Sequence, residues 1–410
     1  MMEREKFYEL EKKLLYLYCG MFFIKYEILK VFIIPMVLII LLRRFFYGEK
    51  LNCGNEKLKK FLLILVVGGM IWNFLANFDY RSARAFFKIS REIVLPFYIY
   101  PIVSRENRVI EGVVKALTLS FLIMAGKTFH NYLDFPGKNG ATGFEWVGTT
   151  RAMALMASSM SLGGMFSRNS NKIKALSLFV FVLGVGTMIM SNSRAGLVAL
   201  GGSILCTFLI SRVDLRKIVV IVMVLGVIAF ITPSNRTKHF KTTFNSEKTI
   251  KNFSNGMRIE LWKNAIWRIE QHPVMGSGTK NDEKLFKKYA NNLPEETKVD
   301  RFYKKKMLNS GFNDAHNMYL NIVSDNGVFS IIHLILIFGV LPCLCFKNLK
   351  ITNSINRSVS LGVSASLVSF YIYGMFWSIW RGDWSRTEFW FLVSLLCCMS
   401  FFENDVEKHS

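Results

Sequence analysis

The chain has 410 residues, 51% of them hydrophobic, with 36 phenylalanines and a formal net charge of +23. Repeated apolar runs of near-helical membrane length exclude an ordinary water-soluble domain, since about 20 helical residues cross the roughly 30 Å hydrocarbon core of a bilayer. The excess of Lys and Arg sits largely in short turns between those runs. That is the pattern of cytoplasmic turns rather than of a nucleic-acid-binding module.

The runs are too long and too continuous for the ten-residue alternation of a membrane β-barrel. Spanning backbone must satisfy its own hydrogen bonds, which leaves helices. The sequence therefore predicts an all-α integral membrane protein of about 12 transmembrane helices with one large, mostly helical loop. In chain order the expected spans are Leu10–Ile24, Ile28–Phe45, Phe61–Phe78, Ala85–Val103, Val109–Lys127 and Thr150–Phe166. Ile173–Met190, Arg194–Ile210, Lys217–Ile231, Asn326–Phe346, Val359–Ser378 and Thr387–Phe402 complete the set. The first is short, and the fourth is interrupted by Lys88, Arg91, Pro96 and Pro101. All seven cysteines fall in apolar runs or cytoplasmic turns, which argues against structural disulfides. A charged segment without a small-residue cleavage site precedes the first run, which argues against a cleaved signal peptide.

Three regions follow: residues 1–231 with nine spans, residues 232–325 as a polar loop, and residues 326–410 with three spans and a tail. The basic residues set the orientation. With a cytoplasmic amino terminus, inward turns carry Arg43, Arg44, Lys50, Lys57, Lys59 and Lys60, then Arg105 and Arg108, then Arg168, Lys172 and Lys174. Arg212, Arg216 and Lys217 follow, and then Lys347, Lys350 and Arg357, while the opposite turns hold far fewer. Both termini are then cytoplasmic and the 232–325 loop lies outside. Its own basic excess is no obstacle, because loops beyond about 60 residues translocate largely regardless of charge.

Within the loop, Ile259, Trp262, Ile266 and Ile269 recur at helical spacing behind Asn255 as a cap. His272-Pro273 ends that helix, and Gly276-Ser277-Gly278 turns the chain. Leu285, Phe286 and Tyr289 mark a second amphipathic helix, and the basic segment Arg301–Lys306 follows, its lysines read as a solvated or lipid-facing surface. Asp314 is expected to cap a helix running through Tyr319. The apolar faces of the loop helices are expected to lie down on the membrane.

Candidate chemistry collects on the outer side. His316 is expected at the second helical position behind Asp314, where the helix dipole disfavours imidazolium and leaves the ring able to accept a proton; a local cap or surface contact is the plainer role. Arg194, in Ser191-Asn192-Ser193-Arg194-Ala195-Gly196 at the outer end of a span, is either functional or snorkelling to the head groups. Arg258 opens the Trp262 helix, where its guanidinium is placed to stack on the indole one turn on, or to sit in solvent. Arg84, Arg381 and Arg386 are further outer arginines, for which snorkelling is the commoner role. No Walker motif, Rossmann fingerprint or Asp-x-Asp occurs, so neither a metal nor a cofactor is expected. A phosphorylated donor would be neutralised by arginine forks instead.

Taken in order, five pieces resemble the O-antigen ligase and O-antigen polymerase superfamily of bacterial envelope glycosyltransferases. They are Ser193-Arg194-Ala195-Gly196, Gly256-Met257-Arg258 with Trp262, His272-Pro273-Val274-Met275-Gly276-Ser277-Gly278, Ala315-His316-Asn317-Met318-Tyr319-Leu320, and Asp325-Asn326-Gly327. Ser277 stands where the family often has an apolar residue. The resemblance implies a membrane glycosyltransferase C-type architecture in the bacterial inner membrane with the loop periplasmic. It implies a glycan donor on undecaprenyl diphosphate, a lipid A-core acceptor, membrane lipids as surroundings and no nucleic acid. It further implies metal-independent, inverting transfer with His316 as base and with Arg194 and Arg258 on the donor diphosphate. O-antigen ligase is the reading favoured by the single dominant loop; a polymerase, and from another class a polysaccharide or lipid transporter, are the alternatives.

Overall fold

The computed structural model describes residues 4–134, 140–167, 169–211, 253–279, 282–295, 298–309, 314–351 and 354–409. Among these residues every regular element is helical. The first five helices are α1 (Arg4–Met21), α2 (Tyr26–Phe46), α3 (Glu56–Ala76, with a π turn at Ile64–Gly68), α4 (Tyr80–Ser90) and α5 (Val94–Val103). Then come α6 (Val109–Asp134), α7 (Val147–Phe166), α8 (Asn171–Met190) and α9 (Arg194–Ser211). The loop region holds α10 (Phe253–Gln271), α11 (Asp282–Asn291) and α12 (Lys298–Asn309). The chain continues through α13 (Met318–Asn348), α14 (Ser354–Gly374) and α15 (Asp383–His409).

Four of these helices, α3, α6, α8 and α13, are long and apolar enough to cross a membrane by length and composition. Their outer faces fit that solvent. Ile64, Val67 and Ile71 on α3, and Ile331, Ile335 and Phe338 on α13, are exposed, as are Val31, Ile34 and Leu38 on α2. An exposed apolar face of this size marks contact with lipid or with another protein.

Helices cover eleven of the twelve expected spans, and the ninth, Lys217–Ile231, lies outside the described residues. The fourth expected span is two helices, not one. Arg91–Ile93 forms a 3-10 turn between α4 and α5, where Arg91 pairs with Glu92 (3.1 Å) and donates to the Tyr26 hydroxyl (2.9 Å). Arg91 thus has protein partners while Lys88 is exposed, and the ten-residue α5 is a core helix: Leu95, Tyr98, Ile99, Ile102 and Val103 are all fully buried.

The bundle is joined by small residues and hydroxyls. Gly163 on α7 and Gly362 on α14 let two backbones meet, since a Cβ on Gly163 would stand 1.9 Å from the Ser358 carbonyl oxygen. Nearby, Ser159 on α7 donates to Ser369 on α14 (3.0 Å) and lies 3.4 Å from Ser203 on α9. Such small residues and hydroxyls let helices approach closely and hold one another by packing and hydrogen bonds.

The loop helices form a satellite core of their own. Met257 and Leu261 of α10 pack with Phe286 and Ala290 of α11 and Met307 of α12. Part of their apolar surface is thus taken up by one another, while Ile259, Ile266 and Phe302 stay exposed. Helix α10 begins at Phe253, so Asn255 falls inside its first turn instead of capping it. Nor is the basic run of α12 all surface: Lys304 pairs with Glu295 (2.8 Å) and donates to the Asn291 carbonyl (2.8 Å), closing the end of α11.

A backbone clasp fixes this unit to α13. The N–H groups of Ser277 and Gly278 donate to the carbonyls of Ser324 (2.8 Å) and Asp325 (2.9 Å), and Val328 N–H returns to the Val274 carbonyl (2.9 Å). Gly276 (φ 74°) and Gly327 (φ 52°) lie at the crossing, where a Cβ on Gly327 would fall 2.2 Å from the Val274 oxygen. Two side chains of α3 cover the clasp: Trp72 donates to the Met275 carbonyl (3.1 Å), and Asn73 bridges Thr279 (3.0 Å) and Asn326 (3.0 Å). Gly327→Ala is expected to destabilise the protein by about 1–3 kcal/mol through backbone strain alone, with the clash adding to it. A lowered midpoint for loss of the monodisperse peak, measured by heating the detergent-solubilised variant before size-exclusion chromatography, checks this.

Candidate active site

Three arginines gather at the top of α7, α9 and α10. Arg194 is the first residue of α9, delivered by the turn Ser191-Asn192-Ser193, in which Asn192 takes φ 57° and the Ser193 hydroxyl caps the Gly196 amide at 3.2 Å. Arg151, in the first turns of α7, donates through Nε to the Ser191 carbonyl (2.7 Å), directly beneath that turn. Arg258 comes from α10. Its neighbour Met257 faces the satellite core, and Gly256 leaves room for the Tyr303 hydroxyl. Arg258 consequently points the other way, into electrostatic reach of Arg194, Arg151 and Tyr373. Burial, with the charges of Arg194 and Arg151, pushes the Arg258 guanidinium below its ordinary range. Tyr373, buried near the end of α14, hydrogen-bonds Ser193 and closes the cluster from the bundle side. One turn beyond Arg258, the indole N–H of Trp262 is buried and meets no acceptor among the described residues.

His316 stands around the same end of α14. Its ring packs at 4.9 Å on Trp377, four residues beyond Tyr373, and Trp377 packs at 5.5 Å on Trp146, the residue that precedes α7. The local backbone differs from the sequence expectation. Helix α13 begins at Met318, and Asn317 is its cap, accepting from Tyr319 (3.0 Å) and Leu320 (3.1 Å). His316 lies just ahead of that cap with φ 46°, so it is not a helical residue. Asp314, expected as the cap, instead accepts from the His316 backbone N–H (2.7 Å), meets His316 Nδ1 at 2.5 Å and accepts from the Ser378 hydroxyl (2.5 Å). Burial would raise the Asp314 carboxyl. The His316 hydrogen bond and charge, Ser378 and Arg381 outweigh it and hold the carboxyl well below the usual range.

The remaining expected arginines have different positions. Arg381 grips Asp325 with contacts of 2.5 and 2.6 Å, and Arg268 of α10 reaches the same carboxylate at 2.9 Å while donating to Ser277 at 2.6 Å. Arg386 is buried, donates to the Arg381 carbonyl (2.8 Å) and lies 3.9 Å from Glu92. Both therefore belong to the internal charge network and do not snorkel. Arg84 is exposed on α4. Arg151 and Tyr373 belong to no motif of the sequence, whereas Asp314 reads there as a helix cap and Asp325 as part of Asp325-Asn326-Gly327, neither with the charged partners found here. Arg151 follows Thr149-Thr150 at the start of an apolar run, where an arginine is costly, and that cost was the available signal.

A bundle of apolar helices carrying an arginine cluster beside an Asp–His pair is the class that the described residues define. Residues 179–335, which include Arg194, Arg258 and His316, match the family model described as O-antigen ligase. This match supports membership of the O-antigen ligase superfamily, which the sequence resembles. An uncharacterized protein of Haemophilus influenzae strain Rd is 25% identical over 221 residues, 51% of this chain and 52% of that protein. The chain thus matches about half the length of that relative.

Asp325 anchors two cations, Arg268 with 1% and Arg381 with 15% of the side chain exposed. Removing the anion from a buried pair costs about 3–5 kcal/mol, because the partner charge is left uncompensated. Asp325→Asn is therefore expected to lower thermal stability by that order and to weaken the α10–α13 junction. Limited proteolysis of the loop alongside a thermal melt checks both effects.

Proposed function

We propose that the chain is an O-antigen ligase, moving a glycan from undecaprenyl diphosphate onto lipid A-core at the periplasmic face of the bacterial inner membrane. In this reading the bundle has about twelve spans, with both termini cytoplasmic and residues 232–325 periplasmic. The observation that carries the proposal is the meeting of Arg194 and Arg258, with Arg151 beside them. Guanidinium groups repel one another at close range, and a bound diphosphate would neutralise them while accepting their paired donors. The buried Trp262 N–H is a further donor for the same ligand.

The transfer follows. The donor's diphosphate binds Arg194, Arg258 and Arg151, which stabilise charge as the leaving group departs. His316 takes the proton from an acceptor sugar hydroxyl as general base. The hydroxyl oxygen attacks the anomeric carbon from the side opposite the diphosphate, so configuration inverts. Trp377, tilted by 46° against His316 and by 35° against Trp146, offers an aromatic surface for a sugar ring. A polymerase would share the donor and the base but take a second lipid-linked glycan as acceptor; the single large loop favours the ligase.

His316→Ala is expected to reduce turnover by about 100- to 10,000-fold, the range of a general base. Arg258→Lys is expected to lose much of its activity as well, because a point charge replaces a two-pronged clamp. Both are read by complementing a strain deleted for the gene and running its lipopolysaccharide on a gel. Loss of the capped ladder with accumulated lipid-linked polymer supports the ligase. A single-repeat band identifies a polymerase, and an unchanged ladder in His316→Ala refutes the assignment.

A further inference from the structure

We propose that Asp314 is a positioning residue for the transfer: its carboxylate holds the His316 ring with the proton on Nδ1, which leaves Nε2 as the atom that accepts the hydroxyl proton. This inference rests on the reading of His316 as the base.

The geometry separates this role from ordinary capping. Asn317 already serves the helix amides, so Asp314 has no helix end to cap. Its Oδ1 instead faces the Nδ1 side of the ring at 2.5 Å and holds the same residue's backbone N–H at 2.7 Å. Ring and backbone of His316 are therefore tied to one oxygen, and the chain enters the left-handed region at φ 46° to allow it. That conformation is disfavoured for a residue with a side chain, so the local contacts must hold it in place. The carboxylate is itself held from outside the loop by the Ser378 hydroxyl at 2.5 Å, while the positive charge of Arg381 favours its ionised form. On the other face, Trp377 limits ring rotation.

An ionised carboxylate can only accept, so the neutral imidazole facing it carries its hydrogen on Nδ1. In the step, the acceptor O–H proton moves to Nε2 as the new C–O bond forms. The anomeric C–O bond to phosphate breaks, and its electron pair leaves with the diphosphate. The imidazolium so formed has both nitrogens protonated, and Asp314 stabilises it through the Nδ1 hydrogen bond.

Asp314→Asn tests this, because an amide oxygen still serves the backbone N–H and Ser378 while removing the charge. Wild type, Asp314→Asn, Asp314→Glu and His316→Ala are assayed in proteoliposomes with a lipid-diphosphate glycan donor and a lipopolysaccharide-core acceptor. The expected result is a fall in kcat of about tenfold or more for Asp314→Asn, with donor and acceptor KM nearly unchanged. The acid limb of its pH–rate profile should move to lower pH, since an amide stabilises imidazolium less than a carboxylate does. The charged groups in play there are Asp314 and Arg381. Asp314→Glu should recover part of the turnover. Wild-type kcat with an unmoved profile in Asp314→Asn overturns the inference. A loss of activity matched by equal loss of thermal stability, with the profile unmoved and no recovery by Asp314→Glu, overturns it as well. Full activity in His316→Ala is a different failure, because it removes the base itself.

Discussion

The junction between loop and bundle depends on one carboxylate. Asp325, on α13, accepts from Arg268 of the loop helix α10 and from Arg381 of the turn ahead of α15. Arg381 in turn favours the charge on Asp314, which holds His316. Signs alternate along this path, Arg268, Asp325, Arg381, Asp314, so each charge has an opposite neighbour. Buried charge of this kind contributes little net stability against an apolar alternative, but it is costly to break. That asymmetry suits a joint that must keep one geometry.

The clasp at Gly276 and Gly327 has the same effect at the backbone level. With Trp72 and Asn73 of α3 pinned over it, the described loop helices are a packed extension of the bundle with a small core of their own. A rigid support is what a transfer site needs, because misplacement by an ångström at the reacting atoms costs orders of magnitude in rate. In the proposed reaction the two halves of the chemistry sit on either side of the end of α14. Arginines for the leaving diphosphate lie toward Tyr373, and the base lies toward Trp377.

Much of this layout was readable from the chain, for physical reasons. Apolar runs of helix length could only be helices, and helices cover eleven of the twelve segments marked that way. The motif Gly256-Met257-Arg258 pointed to Arg258, and its meeting with Arg194 follows from Met257 turning inward to the satellite core. Other features depend on contacts between distant segments, which sequence periodicity does not report. Asp314 and Asn317 are both good caps by residue type, and only the fold decides that Asn317 caps while Asp314 turns to the histidine. Arg381 and Arg386 read as snorkelling residues because their partners, Asp325 and Glu92, lie far away in sequence. Likewise His272-Pro273-Val274-Met275-Gly276-Ser277-Gly278 and Asp325-Asn326-Gly327 read as separate motifs, although their glycines make room for each other.

What the account needs most is an anion at the arginines. A cryo-electron microscopy structure of the chain in lipid nanodiscs with undecaprenyl diphosphate is the most direct measurement. It is expected to show phosphate oxygens about 2.7–2.9 Å from the guanidinium nitrogens of Arg194 and Arg258, with the sugar-bearing end turned toward His316. Density for the diphosphate at the opposite membrane face, or held by side chains that include neither arginine, would contradict it.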